Sequence, residues 1–294
     1  MRQFLLGTDW WSDCDDAVAV RLLARAAKEQ KIQLLGIGVN ACMEHSIASL
    51  DAFLNLEGLS GVPLGLDHEA VDFTGRTSYQ HRLAQSSSAG RCNTDAEDAA
   101  MLYRRLLAQA EKPVDVLEIG FPQVLAKVLM SGPDAFSPLN GVELFRQKVR
   151  KVWMMAGKWD EQGGREHNFC LTRRSSAGAE VFCRMCPVPV TFLGWEIGAD
   201  VITGSTLQKD DHLHQVLCDH GSADGRLSWD PMLVLMALTG DEAEAGYLTV
   251  RGKASVRSED GANFFAEDPA GLHSYVVKER EAAFYQQWID HLIG

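Results

Sequence analysis

Runs of apolar residues alternate with amphipathic stretches along most of the chain. The segments Phe4–Gly7, Ile32–Val39 and Val114–Ile119 are rich in apolar residues, which is typical of strands buried on both faces. Asp15–Glu29 places apolar residues at helical spacing, and Ser46–Leu56 is a second predicted helix. This alternation predicts an α/β fold with a mainly parallel central sheet flanked by helices, of the Rossmann-type open kind.

The remaining predicted elements continue the alternation. We expect strands over Val62–Leu66, Val149–Ala156, Val188–Leu193 and His273–Val277, and helices over Gln123–Met130, Ser176–Cys183, Thr206–Cys218, Pro231–Leu238 and Lys278–Ile293. Asp67–Asn93 lacks any period and predicts a long loop. Thr94 begins a capping box for a helix that runs to about Ala110, and Tyr247–Val256 predicts a hairpin. No linker divides the chain, so residues 1–294 are expected to form one domain, with about 243–294 as an appendage.

The composition excludes several classes of protein. Of the 294 residues, 46% are hydrophobic and 23% are charged, which is ordinary for a globular protein and too apolar for a disordered one. The formal net charge of −12 argues against a nucleic-acid partner, because such binding needs a basic surface. No run approaches about 18 uninterrupted apolar residues, so no membrane-spanning segment is expected.

The cysteines and the N-terminal sequence indicate the compartment. The seven cysteines are odd in number and scattered, which favours reduced thiols over a disulfide framework. The apolar run near the N-terminus is too short for a signal-peptide core, and we therefore expect a cytoplasmic protein. Cys183 and Cys186 form a C-x-x-C pair without the second pair that a zinc site would need.

Four aspartates stand where the first strand ends and the first helix begins. Asp9, Asp13, Asp15 and Asp16 occupy the position beyond a strand end where open parallel sheets bind ligands. Helix capping and the helix dipole explain one or two of them. The others would repel one another unless a cation neutralised them or one stayed protonated. A hard divalent cation fits best, and Ca²⁺ tolerates a crowded carboxylate shell better than Mg²⁺ does. A capped, hydrated acidic loop is the alternative.

The aspartate run resembles the opening signature of the inosine–uridine-preferring nucleoside hydrolases. The motif T-D-x-x-x-D-x-D-D-A follows the first strand here. The family signature is an Asp followed within a few residues by Asp-Asp-Ala. The usual Pro-Gly between them is absent from this chain, and the spacer is two residues longer.

Later motifs resemble those of the same family in unbroken order, from residue 3 to about 240. They are Asn40 after the second strand, I-G-F-P-Q at 119–123, M-M-A-G at 154–157, E-H-N at 166–168, F-L-G-W-E-I-G at 192–198 and S-W-D-P at 228–231. Their family counterparts are an Asn, a Gly-Pro-Leu-Thr-Asn-like segment, Met-Gly-Gly, Glu-Phe-Asn, Ser-Gly-x-Glu-Ile-Gly and His-Asp-Pro. The resemblance implies the nucleoside hydrolase fold and a site that holds both ribose and calcium.

The resemblance also implies a role for each matched residue. Calcium would be held by Asp9, Asp16, Asp230 and the main-chain carbonyl of Gln123. The hydroxyls of the ribose would be held by Asp15 and Asn40 at the 2′ and 3′ positions, and by Asn168 and Glu166 at the 3′ and 5′ ends. Asp9 would take a proton from the attacking water, with Asp13 its rival as general base.

The group that protonates the departing base is left open. Purine-preferring relatives have a His before the last Asp, where this chain has Trp229, whose indole N–H is not an acid near neutral pH. His81, in the predicted loop, and His167, beside the ribose residues, are the candidates to replace it. Trp10 and Trp11 form either an aromatic wall against the base or another chain, or part of the core behind the acidic turn.

The sequence therefore predicts a Ca²⁺-dependent hydrolase that splits the N-glycosidic bond of a ribonucleoside, or a related N-riboside, into ribose and free base. Such an enzyme would act in nucleoside salvage, and the resemblance implies a homodimer or homotetramer. Without the Pro-Gly and the His, a calcium-dependent ribosyl- or nucleoside-binding protein of the same fold stays open. A Mg²⁺-dependent phosphotransferase would want a glycine-rich phosphate loop or a conspicuous lysine, and neither is visible.

Overall fold

A computed structural model describes residues 1–86 and 90–294. Its strands are β1 (Arg2–Thr8), β2 (Ile32–Val39), β3 (Leu64–Leu66), β4 (Glu97–Asp98), β5 (Val114–Glu118), β6 (Val149–Met155), β7 (Val190–Leu193), β8 (Ile202–Thr203), β9 (Arg226–Leu227), β10 (Tyr247–Val256), β11 (Asn263–Glu267) and β12 (His273–Lys278). Its helices are α1 (Asp15–Lys28), α2 (Ser46–Leu56), α3 (Gln80–Gln85), α4 (Ala99–Gln109), α5 (Gln123–Met130), α6 (Gly141–Lys148), α7 (His167–Cys170), α8 (Arg173–Met185), α9 (Trp195–Gly198), α10 (His212–His220), α11 (Trp229–Thr239) and α12 (Ala282–Ile293). Within the two described ranges, no helix has the length and hydropathy that crossing a bilayer requires.

Ten strands form one sheet in the order β11-β10-β12-β7-β6-β5-β1-β2-β3-β4. Every neighbouring pair from β12 to β4 is parallel. Only β10 runs antiparallel to its neighbours, β11 and β12. The two central strands β1 and β5 are almost completely buried, which explains why their sequences are mainly apolar; their buried polar residues include Asp115 and Glu118 of β5. The predicted mainly parallel sheet is confirmed.

Helices cover both faces of the sheet. Alternate residues of β1 face opposite layers: Phe4 and Leu6 belong to the core that includes α1, α2, α11 and α12, and Leu5 belongs to the core that includes α4, α5 and α8. Burying a side chain of this size stabilises the fold by roughly 1.5–3 kcal/mol. The two cores hold the central strands rigidly, so the loops at their carboxyl ends start from fixed positions.

The segment predicted as one long loop, Asp67–Asn93, contains the short helix α3. The helix was not predicted because its sequence is mostly polar and only a few of its side chains, such as that of Leu83, face the core. Residues 87–89 of this predicted loop lie outside the described part of the chain.

The predicted helix start at Thr94 is wrong. Helix α4 begins at Ala99, because the side chain of Asp98 accepts hydrogen bonds from the main-chain N–H groups of Ala100 and Met101 at 2.9 and 3.1 Å. Thr94 lies in a separate 3-10 turn. A helix that was not predicted, α6, starts with a capping box formed by Asn140 and Glu143.

The predicted hairpin over Tyr247–Val256 is also wrong, since these ten residues form the single strand β10. The turn follows it, and β11 and β12 both pair with β10. The parallel pairing of β12 with β7 joins this C-terminal segment to the central sheet.

Candidate active site

A cavity of about 190 Å³ opens beyond the carboxyl ends of the central strands. It is lined by Asp9, Ser12, Asp13, Asp15, Asp16, Ile119, Met155, Glu166, His167, Asn168, Trp195, Arg226, Trp229 and Asp230. Most of these residues lie at or just beyond the carboxyl ends of β1, β5, β6 and β7, so one edge of the large sheet gathers segments that are far apart in sequence. Arg226, Trp229 and Asp230 come from β9, which belongs to a separate two-stranded sheet, and from the start of α11. Asn40, Gln123 and His81 were predicted for the site but are not among the lining residues.

Three aspartates form a compact acidic cluster in this cavity. Oxygens of Asp15, Asp16 and Asp230 lie within 4.8 Å of one another, and all three residues are buried. Asp15 and Asp16 begin α1, and Asp230 stands in the first turn of α11. The positive ends of both helix dipoles therefore face the carboxylates, which partly offsets their repulsion.

Main-chain hydrogen bonds fix the orientation of the cluster. Asp15 Oδ2 accepts the N–H groups of Trp229 and Asp230 at 3.1 and 3.2 Å, and this joins the start of α1 to the start of α11. Asp16 Oδ1 accepts the hydroxyl of Thr8 and, at 3.3 Å, the N–H of Trp10.

Burial and mutual repulsion shift the pKa values of the carboxyl groups in the cavity. Burial, followed by the charges of the neighbouring aspartates, raises the pKa values of Asp15, Asp16 and Asp230 well above their ordinary value. Burial likewise raises the pKa of Asp9 to about 8, with smaller contributions from Asp13 and Asp15. A set of buried carboxylate oxygens fits a hard divalent cation, which would remove the repulsion that raises these values.

Asp9 and Asp13 differ in their partners, although both line the cavity. Asp9 Oδ1 accepts the N–H of Trp11 at 3.2 Å. Both oxygens of Asp13 are held by Arg226, from Nε at 2.8 Å and from Nη2 at 2.5 Å. Burial raises the pKa of Asp13, but the hydrogen bond and charge of Arg226 outweigh it and leave that pKa below its ordinary value. Asp13 is thus a carboxylate paired with Arg226, whereas no basic side chain in the described ranges forms an ion pair with Asp9.

Glu166 and Asn168 meet at the start of α7, beyond β6. Glu166 caps this turn, because its two oxygens accept the N–H groups of Gly157 and Asn168, each at 2.8 Å. Asn168 donates from Nδ2 to the carbonyl of Met155 at 2.8 Å, and its side chain lines the cavity. Burial raises the pKa of Glu166 to about 7. The pair therefore presents polar groups fixed by hydrogen bonds to a cavity whose other described charged lining residues are the aspartates and Arg226.

Two indole rings and an imidazole supply the aromatic part of the lining. The rings of Trp195 and Trp229 stack with centroids 6.5 Å apart, and Trp229 Nε1 donates to the carbonyl of Trp195 at 2.6 Å. His167 also lines the cavity, where desolvation by the surrounding protein lowers its pKa and the charge of Asp13 opposes that shift. His81 is placed elsewhere, exposed on α3 with its ring 5.4 Å from that of His45.

The two tryptophans of the acidic turn pack behind it. Trp10 is fully buried against Phe53 and Tyr79, with centroids 5.4 and 5.3 Å away, and it donates from Nε1 to Ser49. Its φ of +45° is the left-handed conformation that favours glycine. Trp11 is buried beside Phe73. Of the two interpretations left open by the sequence, core packing describes Trp10.

Asn40 and Gln123 lie beneath the cavity in a buried polar layer. Asn40 Nδ2 donates to Glu118 Oε1 at 2.8 Å, its Oδ1 accepts the N–H of Phe121 at 3.0 Å, and its carbonyl accepts Gln123 Nε2 at 2.7 Å. This layer ties the ends of β1, β2 and β5 together, because the N–H of Asn40 also donates to Thr8. Asn40 therefore contacts protein groups where a contact with ribose was predicted.

Arg226 and Trp195 were not predicted as site residues. Trp195 comes two residues after the end of β7, so the strand-end rule alone would have selected it. Arg226 comes four residues before Asp230 and pairs with Asp13, 213 residues away, a contact that no local pattern signals.

No family model matches the chain, and a search of the curated proteins finds no match either. Solved structures do match over the whole chain. The inosine–uridine-preferring nucleoside hydrolase from Bacillus anthracis is 16% identical with a TM-score of 0.70, and covers 100% of this chain and 99% of its own. The purine-preferring ribonucleoside hydrolase from Gardnerella vaginalis is 17% identical with a TM-score of 0.74, at 99% coverage of both chains.

A third similar structure is the type III effector protein XopQ in complex with adenosine diphosphate ribose. It is 12% identical with a TM-score of 0.68, and the match covers 99% of this chain and 93% of that one. At these identities the matches establish architecture. The chain has the fold of the nucleoside hydrolases.

Proposed function

We propose that the chain hydrolyses the N-glycosidic bond of a ribonucleoside or a related N-riboside, giving ribose and free base, with Ca²⁺ held at the acidic cluster. The observation that carries this proposal is the convergence of Asp15, Asp16 and Asp230 within 4.8 Å in a cavity that also holds Glu166 and Asn168. Two proteins of the same fold are nucleoside hydrolases, which supports the reaction class.

The residues fit a calcium ion by their chemistry. Asp16, Asp230 and Asp9 are ligands that the family resemblance implies, and all three line the cavity. Asp15 offers a further carboxylate close to Asp16 and Asp230, whereas Gln123, whose carbonyl is the fourth implied ligand, is not among the lining residues. When bound, the ion supplies a positive charge that orients the ribose hydroxyls and makes a nearby water more acidic.

The polar side chains of the cavity hold the sugar. Asn168 keeps its carbonyl oxygen for a hydroxyl, because its amide nitrogen is held by Met155. Glu166 is fixed by two main-chain N–H groups, so it meets a hydroxyl without reorganising. Orientation of this kind supplies roughly 7–11 kcal/mol of the barrier at best, as the anomeric carbon becomes oxocarbenium-like.

Asp9 is the better of the two candidates for the base that accepts the proton of water. Asp13 has both oxygens engaged by Arg226, and its lowered pKa makes it a weak acceptor. Asp9 is fixed through one oxygen only, by the N–H of Trp11. Asp13 instead holds the guanidinium of Arg226 in the cavity.

The test is release of reducing sugar from a panel of inosine, uridine, cytidine and nicotinamide riboside, with Ca²⁺ and with a chelator. We expect calcium-dependent release from at least one substrate, and loss of at least about 10³-fold in Asp9→Ala, as expected for removal of a general base and an ion ligand. Asp115→Asn is the matched control, because Asp115 is a buried carboxylate of β5 that pairs with Arg150 outside the cavity. Full activity of Asp9→Ala would refute the assignment.

One observation favours a second candidate function, a calcium-dependent ribosyl- or nucleoside-binding protein without turnover. The indole N–H of Trp229, at the position where purine-preferring relatives have a His, is already donated to the carbonyl of Trp195. Calorimetric binding of ribose with calcium, together with no sugar release from any of the four substrates, would establish this alternative.

A further inference from the structure

An amino-edge pocket of about 330 Å³ lies at the edge of the sheet opposite the active-site cavity. It is bounded by Arg2 and Ile32, where β1 and β2 begin, and by the last turns of α1, α11 and α12. Helix α1 runs from the acidic cluster to this pocket, over roughly 20 Å at a rise of about 1.5 Å per residue. Among the described residues, none lines both cavities, so the two sites are separate. Small-molecule pockets have volumes of roughly 300–1,000 Å³, and this one falls in that range.

The walls of the amino-edge pocket are apolar. Side chains from three helices meet there: Leu22 of α1, Leu235 and Leu238 of α11, and Trp288 and Leu292 of α12. Leu238, Trp288 and Leu292 are only partly buried, so the pocket leaves apolar surface in contact with water. An apolar ligand that covers this surface gains the free energy of removing it from water.

Basic side chains surround the apolar walls. Arg2, Arg25 and Lys31 line the pocket, and Glu29 is the acidic residue among the described lining. Lys31 pairs with Glu29 at 2.5 Å, whereas no carboxylate of the described ranges lies within ion-pair distance of Arg25. The pocket therefore carries a net positive charge, in a chain whose formal net charge is −12.

Arg25 is fixed in place and keeps donors for a ligand. Its Nη1 donates to the carbonyl of Leu292 at 2.8 Å, and within the described part of the chain its Nε and Nη2 have no hydrogen-bond partner. Arg2 is more fully engaged, because its guanidinium donates to main-chain carbonyls at the end of α11 and lies 3.8 Å from Asp115. A guanidinium with two open N–H groups forms strong, charge-assisted hydrogen bonds to a carboxylate or sulfonate.

We propose that the amino-edge pocket binds a small organic anion, in which an apolar body, aromatic or aliphatic, carries one carboxylate or sulfonate group. The apolar body lies against the leucines and Trp288, and the anionic group lies at Arg25 and Lys31. An inorganic anion would leave the apolar walls in water, and a neutral hydrocarbon would leave the basic groups unpaired. The proposal does not depend on hydrolase activity, because it uses residues outside the active-site cavity.

The first test titrates the folded protein at low ionic strength with two fluorescent probes that differ in one charged group. The probe 8-anilinonaphthalene-1-sulfonate is an apolar anion, and N-phenyl-1-naphthylamine has the same rings without the sulfonate. We expect saturable binding of the anion and competition between the two probes, because both use the same apolar walls. Absence of saturable binding of the anion, or of competition, would overturn the proposal.

Charge-reversal variants show whether the anion binds at this pocket. Arg25→Glu is expected to weaken binding of the anion at least about 10-fold, as loss of a hydrogen bond between charged groups predicts, and to leave binding of the neutral probe nearly unchanged. Arg146→Glu is the matched control, because it makes the same change in net charge at an exposed position of α6 outside the pocket. An unchanged affinity in Arg25→Glu, or an equal loss in both variants, would overturn the proposal.

Lys31→Glu separates a binding role from a folding role. Arg25 holds the carbonyl of Leu292, so its replacement loosens the end of α12, whereas the exposed Lys31 forms its described ion pair with Glu29 alone. We expect Lys31→Glu to weaken binding of the anion while its Tm stays near that of the wild type. Anion binding that is unchanged in Lys31→Glu, and is lost in Arg25→Glu only together with a lowered Tm, would show that Arg25 acts through folding and would overturn the proposal.

A second copy of the chain is the competing occupant of the pocket. Sedimentation velocity and probe titrations over a range of protein concentrations distinguish the two. We expect the Kd of the anion to be the same at every protein concentration. Binding that weakens as the protein concentration rises, together with a dimer that Arg25→Glu dissociates, would assign the pocket to a subunit interface and overturn the proposal.

Discussion

The repulsion within the acidic cluster leads to a prediction in which one substitution stabilises the metal-free protein and abolishes its response to calcium. Asp16→Asn removes one charge from the group formed with Asp15 and Asp230. The asparagine carbonyl oxygen still accepts the hydrogen bonds of Thr8 and Trp10, so the local structure is kept.

The magnitude follows from the spacing of the carboxylates. Two unit charges no more than 4.8 Å apart repel by at least about 3.5 kcal/mol at an effective dielectric constant of 20. Asp16 takes part in two such pairs, and partial protonation of the buried groups reduces the measured effect. We therefore expect Asp16→Asn to raise the free energy of unfolding by about 2 kcal/mol in chelator at pH 8, or Tm by roughly 5 °C.

The assay is urea and thermal unfolding of the wild type and the variant, each in chelator and in Ca²⁺. At a calcium concentration 100 times its Kd, the wild type should gain about 2.7 kcal/mol, whereas the variant should gain much less. Asp115→Asn serves as the control, since it weakens the pairing with Arg150 and should keep the full response to calcium. A destabilised Asp16→Asn protein in chelator, or one with the wild-type calcium response, would refute the reasoning.

Three further predictions concern pH and the cavity lining. In chelator the free energy of unfolding should fall as the pH rises from about 4 to 8. Burial raises the pKa values of Asp9 and Glu118 to about 8, so the folded state binds more protons than the unfolded state over this range. A free energy of unfolding that does not change with pH over this range would contradict the prediction. Trp195→Ala should raise KM several-fold with a smaller change in kcat, because about 1 kcal/mol of stacking on the substrate is lost. An unchanged KM in steady-state kinetics would show that the ring does not contact the substrate. His167→Ala should lower kcat/KM and His81→Ala should leave it unchanged, because of these two histidines only His167 lines the cavity. Equal losses in the two variants would show that the active site has been assigned to the wrong place.

The sheet was predictable because its signal is local. Strands buried on both faces are rich in apolar residues, and β1, β2 and β5 lie within a few residues of the predicted bounds even though β5 also carries the buried Asp115 and Glu118. The helix starts were less predictable, because several side chains within a short segment can each cap a helix. Asp98 rather than Thr94 begins α4, and only the packing of that helix on β2 and β3 decides between them.

Some residues of the site are likewise predictable from a local motif, and others depend on contacts between distant segments. The aspartates between β1 and α1 belong to one short motif, so the sequence reveals them directly. Asp230 joins Asp15 across 215 residues, and that contact depends on the packing of α1 against α11. The ion pair between Asp13 and Arg226 likewise joins residues 213 positions apart, which explains why Asp13 could be taken for a general base. His81 was misplaced because the loop assigned to it contains a surface helix.

A crystal structure of the protein with Ca²⁺ and ribose measures the central claim most directly. The account predicts one ion coordinated by carboxylate oxygens of Asp16 and Asp230, close to Asp15, with hydroxyls of the sugar on that ion and on Asn168. Anomalous scattering would identify the ion. Three carboxylates bridged only by water or protons at saturating calcium, with the sugar absent from this cavity, would contradict the account.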